Sequence, residues 1–141
     1  MSFVEISFEL TNRCNLNCRH CLRDRTDTKT HLPLKLLDKI LREASAYNLR
    51  HVAFTGGEPT LHPAFGGCLD LVVKYGYTYH FVTNAFNFIE VLPSVVSKEK
   101  PARRRHLAGV SISIDGAREE THDYIRAVSY THLRAHETVL D

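Results

Sequence analysis

No stretch of this sequence approaches the roughly 18 to 20 consecutive apolar residues that cross a bilayer. The opening MSFVEISFEL carries neither a basic stretch nor a small-residue cleavage site, so no secretory leader is expected and the cytosol is the expected compartment. Charge of one sign is also lacking. Eighteen Lys and Arg oppose 16 Asp and Glu, a net charge of +2 with the signs interspersed. That balance builds no field for a nucleic-acid backbone or a membrane surface, so partners have to be argued from local motifs. Cysteine is scarce at four, and three of the four fall between residues 14 and 21. In a reducing compartment such a group reads as metal ligands or redox groups rather than a disulfide framework. What is present suits one soluble domain: 141 residues, 43% hydrophobic and 24% charged, enough for a modest core with little room for a second.

The apolar pattern alternates between two periods. FVEISFEL, residues 3 to 10, sends Val4, Ile6, Phe8 and Leu10 to one face and Glu5, Ser7 and Glu9 to the other, as a half-buried strand does. After the polar stretch Thr26 to Thr30, Pro33 suits a first helical position, and Leu34, Leu37, Leu41 and Ala44 predict a helix to about Tyr47. HVAFT, residues 51 to 55, is a short strand stopped by Gly56-Gly57. A helix is expected over Pro63 to Tyr75, closed by Gly76 and weakened by Gly66 and Gly67. YTYHFVT (77 to 83) is a third strand, FIEVLPSVV a poorer helix broken by Pro93, and the arginines 103 to 105 a solvated loop. GVSISID (109 to 115) is a fourth strand, with Val110, Ile112 and Ile114 on one face and Ser111, Ser113 and Asp115 on the other; a last helix begins near Ala117.

Four alternations of strand and helix predict an α/β fold with parallel strands and right-handed crossovers. Strands one and four keep a polar face, unlike the central strands of a doubly wound sheet. That face is expected to line a curved interior, because the distinctive motifs all fall at strand C-terminal ends, where α/β folds place their chemistry.

The first motif is TNRCNLNCRHC, residues 11 to 21. Thiols at CxxxCxxC spacing on one loop can converge on one centre. A structural zinc ion wants a fourth donor, yet His20 adjoins Cys21 and Cys68 lies far along the chain on an expected helix. Three thiolates can instead hold three corners of a four-iron, four-sulfur cluster and leave one iron open. Spacing alone does not decide between them. The second motif, TGGEP at residues 55 to 59, follows strand two directly. Its glycines permit positive φ and close backbone approach, and Glu58 offers charge to an ammonium group.

Together these motifs resemble the radical S-adenosylmethionine superfamily: CNLNCRHC its cysteine loop, GGEP its amino-group motif and SIDG its fourth strand, over about Ile6 to Arg126. The resemblance implies a partial (βα)₆ TIM-like barrel, truncated after about four βα units. It implies an oxidoreductase or maturase that cleaves S-adenosylmethionine reductively at a 4Fe-4S cluster, giving a 5′-deoxyadenosyl radical that abstracts hydrogen from a substrate, a peptide or a small molecule. An electron donor such as flavodoxin or ferredoxin is implied as partner. By position, Cys14, Cys18 and Cys21 are the cluster ligands, and Gly56, Gly57 and Glu58 frame the methionine ammonium. Ser113 contacts ribose or carboxylate, and Arg126 pairs with the methionine carboxylate. Asn84 lies near the cofactor, although Ala85 stands where glycine is usual, and His20 holds the position of an aromatic that packs on adenine. The competing reading is a non-catalytic zinc module that recruits Cys68 or His20. Cys68 is otherwise a buried apolar thiol, and His62, His80 and His106 are read as structural, without named partners.

Residues 127 to 138, AVSYTHLRAHET, break the family pattern, which expects glycine after HDYIR. Back-translated, they resemble a transposon-end sequencing adapter. The expectation is a native core domain over 1–126 and a non-native tail over 127–141.

Overall fold

The computed structural model describes residues 5–23, 27 and 29–128. Strands β1 (Glu5–Glu9), β2 (His51–Thr55), β3 (Thr78–Thr83) and β4 (Leu107–Ile112) alternate with helices α1 (Leu34–Ala44), α2 (Phe65–Lys74), α3 (Phe88–Val96), α4 (Pro101–His106) and α5 (Glu119–Arg126). The four strands pair in parallel in the order β1-β2-β3-β4. Sequential order with crossovers of one hand stacks the connecting helices on a single face, as in a barrel wall, and leaves the other face open. This is an arc of an α/β barrel.

The apolar stripes meet on the helix side. Phe8, Val52, Phe54, Tyr79 and Phe81 from the strands pack with Leu37 and Leu41 of α1 and with Phe65, Leu69 and Val72 of α2. The register Glu5↔His51, Ser7↔Ala53 and Glu9↔Thr55 puts the polar residues of β1 on the open face, beside His51 and Thr55 of β2. The alternation in strand one therefore marks that face, as expected. The two glycines of α2 have a packing reason. A Cβ on Gly67 would stand 3.1 Å from Leu34 Cδ1, and one on Gly66 3.1 Å from an Arg103 guanidinium nitrogen.

Helix α1 stops at Ala44 short of Tyr47, α2 is trimmed to Phe65–Lys74, and three further features differ from expectation. β4 starts two residues before its pattern and ends three residues before it, so Ser113, Ile114 and Asp115 follow the strand. Pro93 lies inside α3 without ending it, because burial of Val95 against the core outweighs one missing backbone hydrogen bond. The arginine run is helix α4, not a solvated loop. Arg103 is buried and its guanidinium bonds Asp70 through both carboxylate oxygens (2.7 and 2.8 Å), Ser94 O (2.6 Å) and Gly66 O (2.8 Å). α5 ends on Ala127 at φ 55, the left-handed C-cap position that glycine fills most easily. Within the 127–141 tail, 129–141 lie outside the described residues.

Candidate functional site

The site begins where the chain leaves β1. Thr11, Asn12 and Arg13 run alongside the turn after β2, with Leu10 N–H donating to Thr55 O (2.9 Å), Gly57 N–H to Thr11 O (2.7 Å) and Glu58 N–H to Arg13 O (2.8 Å). This extension of the parallel pairing leaves no room for side chains on the inner turn. A Cβ on Gly56 would lie 2.6 Å from Thr11 O, and on Gly57 2.3 Å from Arg13 O. Gly56 also takes φ 131. The glycine pair is thus dictated by backbone approach between two motifs far apart in sequence.

The cysteine loop is tied at several points. Asp27 accepts from Asn12, Lys29 N–H, Thr30 N–H and the Thr30 hydroxyl, and the Thr30 bond first among these holds its carboxyl down to about 2. Arg23 donates to Asn12 O (2.7 Å). On the far side Arg19 N–H donates to Ile125 O of α5 (2.8 Å), and the Arg19 guanidinium lies 4.0 Å over the Tyr124 ring.

Three thiols face the space so enclosed. Cys14 Sγ accepts from Leu16 N–H (3.4 Å) and lies 3.8 Å from the Asn84 amide nitrogen; Cys18 Sγ lies 3.8 Å from Arg126 Nη1. Burial pushes the Cys14 thiol up, opposed by the Leu16 N–H and the Arg23 charge. N–H groups aimed at sulfur tune thiolate-bound metal centres.

One cavity is lined by all ten residues the sequence singled out: Cys14, Cys18, His20, Cys21, Gly56, Gly57, Glu58, Asn84, Ser113 and Arg126. Arg23, Thr55, Val82 and Thr83 line it as well. These four were missed. The period-2 pattern of β2, which puts Thr55 on the open face with Glu9, was the available signal for Thr55.

Two side chains hold more partners than expected. The Glu58 carboxylate is buried and accepts from Thr60 N–H (3.3 Å), the Thr60 hydroxyl (2.6 Å), the Thr83 hydroxyl (2.8 Å) and Asn84 N–H (2.8 Å). It locks the turn after β2 to the end of β3. Arg126 Nε pairs with Asp115, whose other neighbour is His20 Nε2 at 4.0 Å.

Three thiols on one loop are soft donors of the kind that hold zinc or iron–sulfur centres. Around one tetrahedral zinc, sulfurs stand about 3.8 Å apart given Zn–S bonds of about 2.3 Å. Among the described residues, the trio of metal-donor atoms lying within 4.8 Å of one another is Glu5, His51 and His80, and the loop thiols do not form one. Cys68 supplies no fourth donor, being buried in the α2 core with its Sγ 3.7 Å from His62 Nδ1 and its thiol pushed up to about 12 by burial.

The family model of the radical SAM superfamily matches residues 8–140. The chain belongs to the radical SAM superfamily. Members of that superfamily use S-adenosylmethionine and a 4Fe-4S cluster. The chain is 32% identical over 126 residues to the mycofactocin maturase MftC of Mycobacterium tuberculosis, covering 86% of this chain and 30% of MftC. It is also 32% identical over 126 residues to the AdoMet-dependent heme synthase of Methanosarcina barkeri, covering 87% of this chain and 34% of that protein. In fold it resembles Streptococcus suis SuiB, in crystals with its precursor peptide SuiA and with S-adenosylmethionine, at TM-score 0.72 and 20% identity for both; the peptide-bound match covers 94% of this chain and 29% of SuiB. The chain therefore spans about a third of the length of these radical SAM relatives. Among the described residues no helix is long and apolar enough to cross a membrane.

Proposed function

We propose that this chain is the cofactor-binding part of a radical SAM enzyme whose substrate is a peptide. The observation that carries the reading is the cavity itself, where the three loop thiols, the glycine turn, Asn84, Ser113 and Arg126 face one space. The likeness to MftC, a maturase, and to SuiB, crystallised with a precursor peptide, supports the substrate class. In this reading Cys14, Cys18 and Cys21 hold a 4Fe-4S cluster with one iron open. Held there and reduced by a flavodoxin- or ferredoxin-type donor, such a cluster would supply the electron for reductive cleavage of S-adenosylmethionine.

The chain's own residues bind and orient. The backbone of Gly56 and Gly57 offers polar groups to the methionine ammonium without side-chain interference. Glu58 fixes that backbone by holding Thr60, Thr83 and Asn84, and adds a negative field beside the ammonium. Arg126, steered by Asp115, presents its remaining guanidinium nitrogens to the methionine carboxylate. His20 stacks on the adenine, and Ser113 bonds the ribose or carboxylate.

Anaerobic reconstitution with iron and sulfide tests this. We expect about four irons per chain, charge-transfer absorption that bleaches on reduction, and 5′-deoxyadenosine on adding S-adenosylmethionine. Cys14→Ala, Cys18→Ala and Cys21→Ala each abolish iron uptake, whereas Cys68→Ala leaves it unchanged. Iron failing to bind while one zinc does, with zinc lost in Cys68→Ala, overturns the reading.

A further inference from the structure

At the opposite end of the sheet from that cavity, another set of donors gathers on the open face. We propose that Glu5, His51 and His80, at the N-terminal halves of β1, β2 and β3, form a binding site for a divalent first-row transition metal of the zinc class.

The spacing of the three donor atoms is the first argument. His51 Nε2 and His80 Nδ1 stand 2.8 Å apart, and Glu5 Oε2 lies 3.7 Å from the former and 3.8 Å from the latter. Three points so placed lie on a circle of radius about 2.0 Å, so one ion can sit about 2.0 Å from all three, the length of a zinc bond to imidazole or carboxylate. Neither carboxylate distance is a hydrogen bond. An ion between the groups joins them where hydrogen bonding does not.

The tautomer of His51 is the second argument. His51 Nδ1 lies 2.7 Å from the Thr78 hydroxyl, which also lies 3.2 Å from Arg50 O. With the His51 proton on Nδ1, the Thr78 oxygen accepts it and Nε2 turns its lone pair to the site. An oxygen gripping the distal N–H is how protein sites orient metal-bound imidazoles. In that tautomer and without metal, the 2.8 Å contact has His80 Nδ1–H donating to His51 Nε2. On loading, that proton moves to His80 Nε2 through solvent, both rings stay neutral, and both lone pairs face the ion.

The backbone preorganises the trio. Glu5 pairs with His51 in register, and the His51 and His80 rings stack with centroids 5.1 Å apart at 14°. The side chains are 47%, 23% and 26% exposed, so an ion enters from solvent and keeps a position for water. Two imidazoles and one carboxylate select zinc-class ions over calcium or magnesium, which require oxygen shells.

Zinc is the probe. The chain, first loaded with iron and sulfide so that the loop thiols are taken, is dialysed against zinc and both metals are counted. We expect one zinc per chain, lost in His51→Gln and in His80→Gln and bound at least about tenfold more weakly in Glu5→Gln, with iron content constant throughout. In the unsubstituted chain, zinc shifts the ring-nitrogen resonances of two of the nine histidines. Equal zinc binding by the parent and His80→Gln, or no retained zinc and no ring-nitrogen shift, overturns the proposal. Should a substitution unfold the sheet, the ring-nitrogen readout on the parent decides alone. Because iron is counted separately, failure here leaves the cluster reading standing.

Discussion

The Glu58 carboxylate divides its bonds unequally: one oxygen accepts from Thr60 N–H and from the hydroxyls of Thr60 and Thr83, the other from Asn84 N–H. An amide cannot do this. In Glu58→Gln the NH₂ group faces either Asn84 N–H or Thr60 N–H, and each orientation sets donor against donor in a buried corner. Leaving such groups unsatisfied costs about 1–3 kcal/mol. We expect Glu58→Gln to lower stability by about 2 kcal/mol in urea unfolding and to weaken S-adenosylmethionine binding. A surface ammonium ligand of the same charge would lose binding with little change in stability, so measuring both separates an anchoring role from a direct contact. Ala85 illustrates a different residue-level constraint. It takes φ 61 while buried, in the position where the family pattern has glycine, and its N–H donates to the Thr83 hydroxyl (3.0 Å). The strain of a left-handed alanine, about 1 kcal/mol, is tolerated because the Glu58 network fixes the segment on either side.

Among the elements, α4 depends most on one side chain. Arg103 joins α4 to Asp70 and Gly66 of α2 and to Ser94 of α3, and the Arg103 bond holds the Asp70 carboxyl below its usual range. Lysine carries the charge but not the planar fork that reaches a carboxylate and two carbonyls at once. We expect Arg103→Lys to cost about 2–3 kcal/mol in denaturant unfolding, and Asp70→Asn in the same chain to add less than its separate cost, since the two changes share the Arg103–Asp70 pairing although Asp70 also holds Lys100. This element also shows why the sequence was only partly legible. The strands could be read because burial on one face imposes period 2 on residues that are neighbours in the chain, and Ile6, Phe8, Val52, Phe54, Tyr79 and Phe81 obey it. The cavity could be read because its cysteines and glycines are themselves contiguous motifs. Arg103 could not, because a run of arginines looks solvated until the fold brings Asp70 beneath it. His80 was equally opaque: its ring meets His51, 29 positions away, only through strand pairing.

For the molecule as a whole, one-sided winding gives the sheet two unlike faces and two unlike ends. The helix face is closed by apolar packing, while the open face carries Glu5, Ser7, Glu9, His51 and Thr55. The thiol-lined cavity is at one end of that face and the Glu5, His51 and His80 trio at the other. The β4 edge is less well protected. Among the described residues no strand pairs beyond it, and Ile112 and Ile114 are 45% and 62% exposed there. Unpaired backbone donors and acceptors beside exposed branched aliphatics template edge-to-edge association, which charge on the edge suppresses. We therefore expect the mass measured by light scattering to rise with concentration for this chain, and to stay at that of a monomer for Ile112→Lys/Ile114→Lys over the same range. Ser113 keeps its N–H bond to Thr83 O (2.9 Å) in that variant, so the cavity wall and iron uptake are preserved. If the lysines left association unchanged, the β4 edge would not be the contact, and the other exposed apolar side chains, such as Tyr47 and Ile89, would be the next to replace.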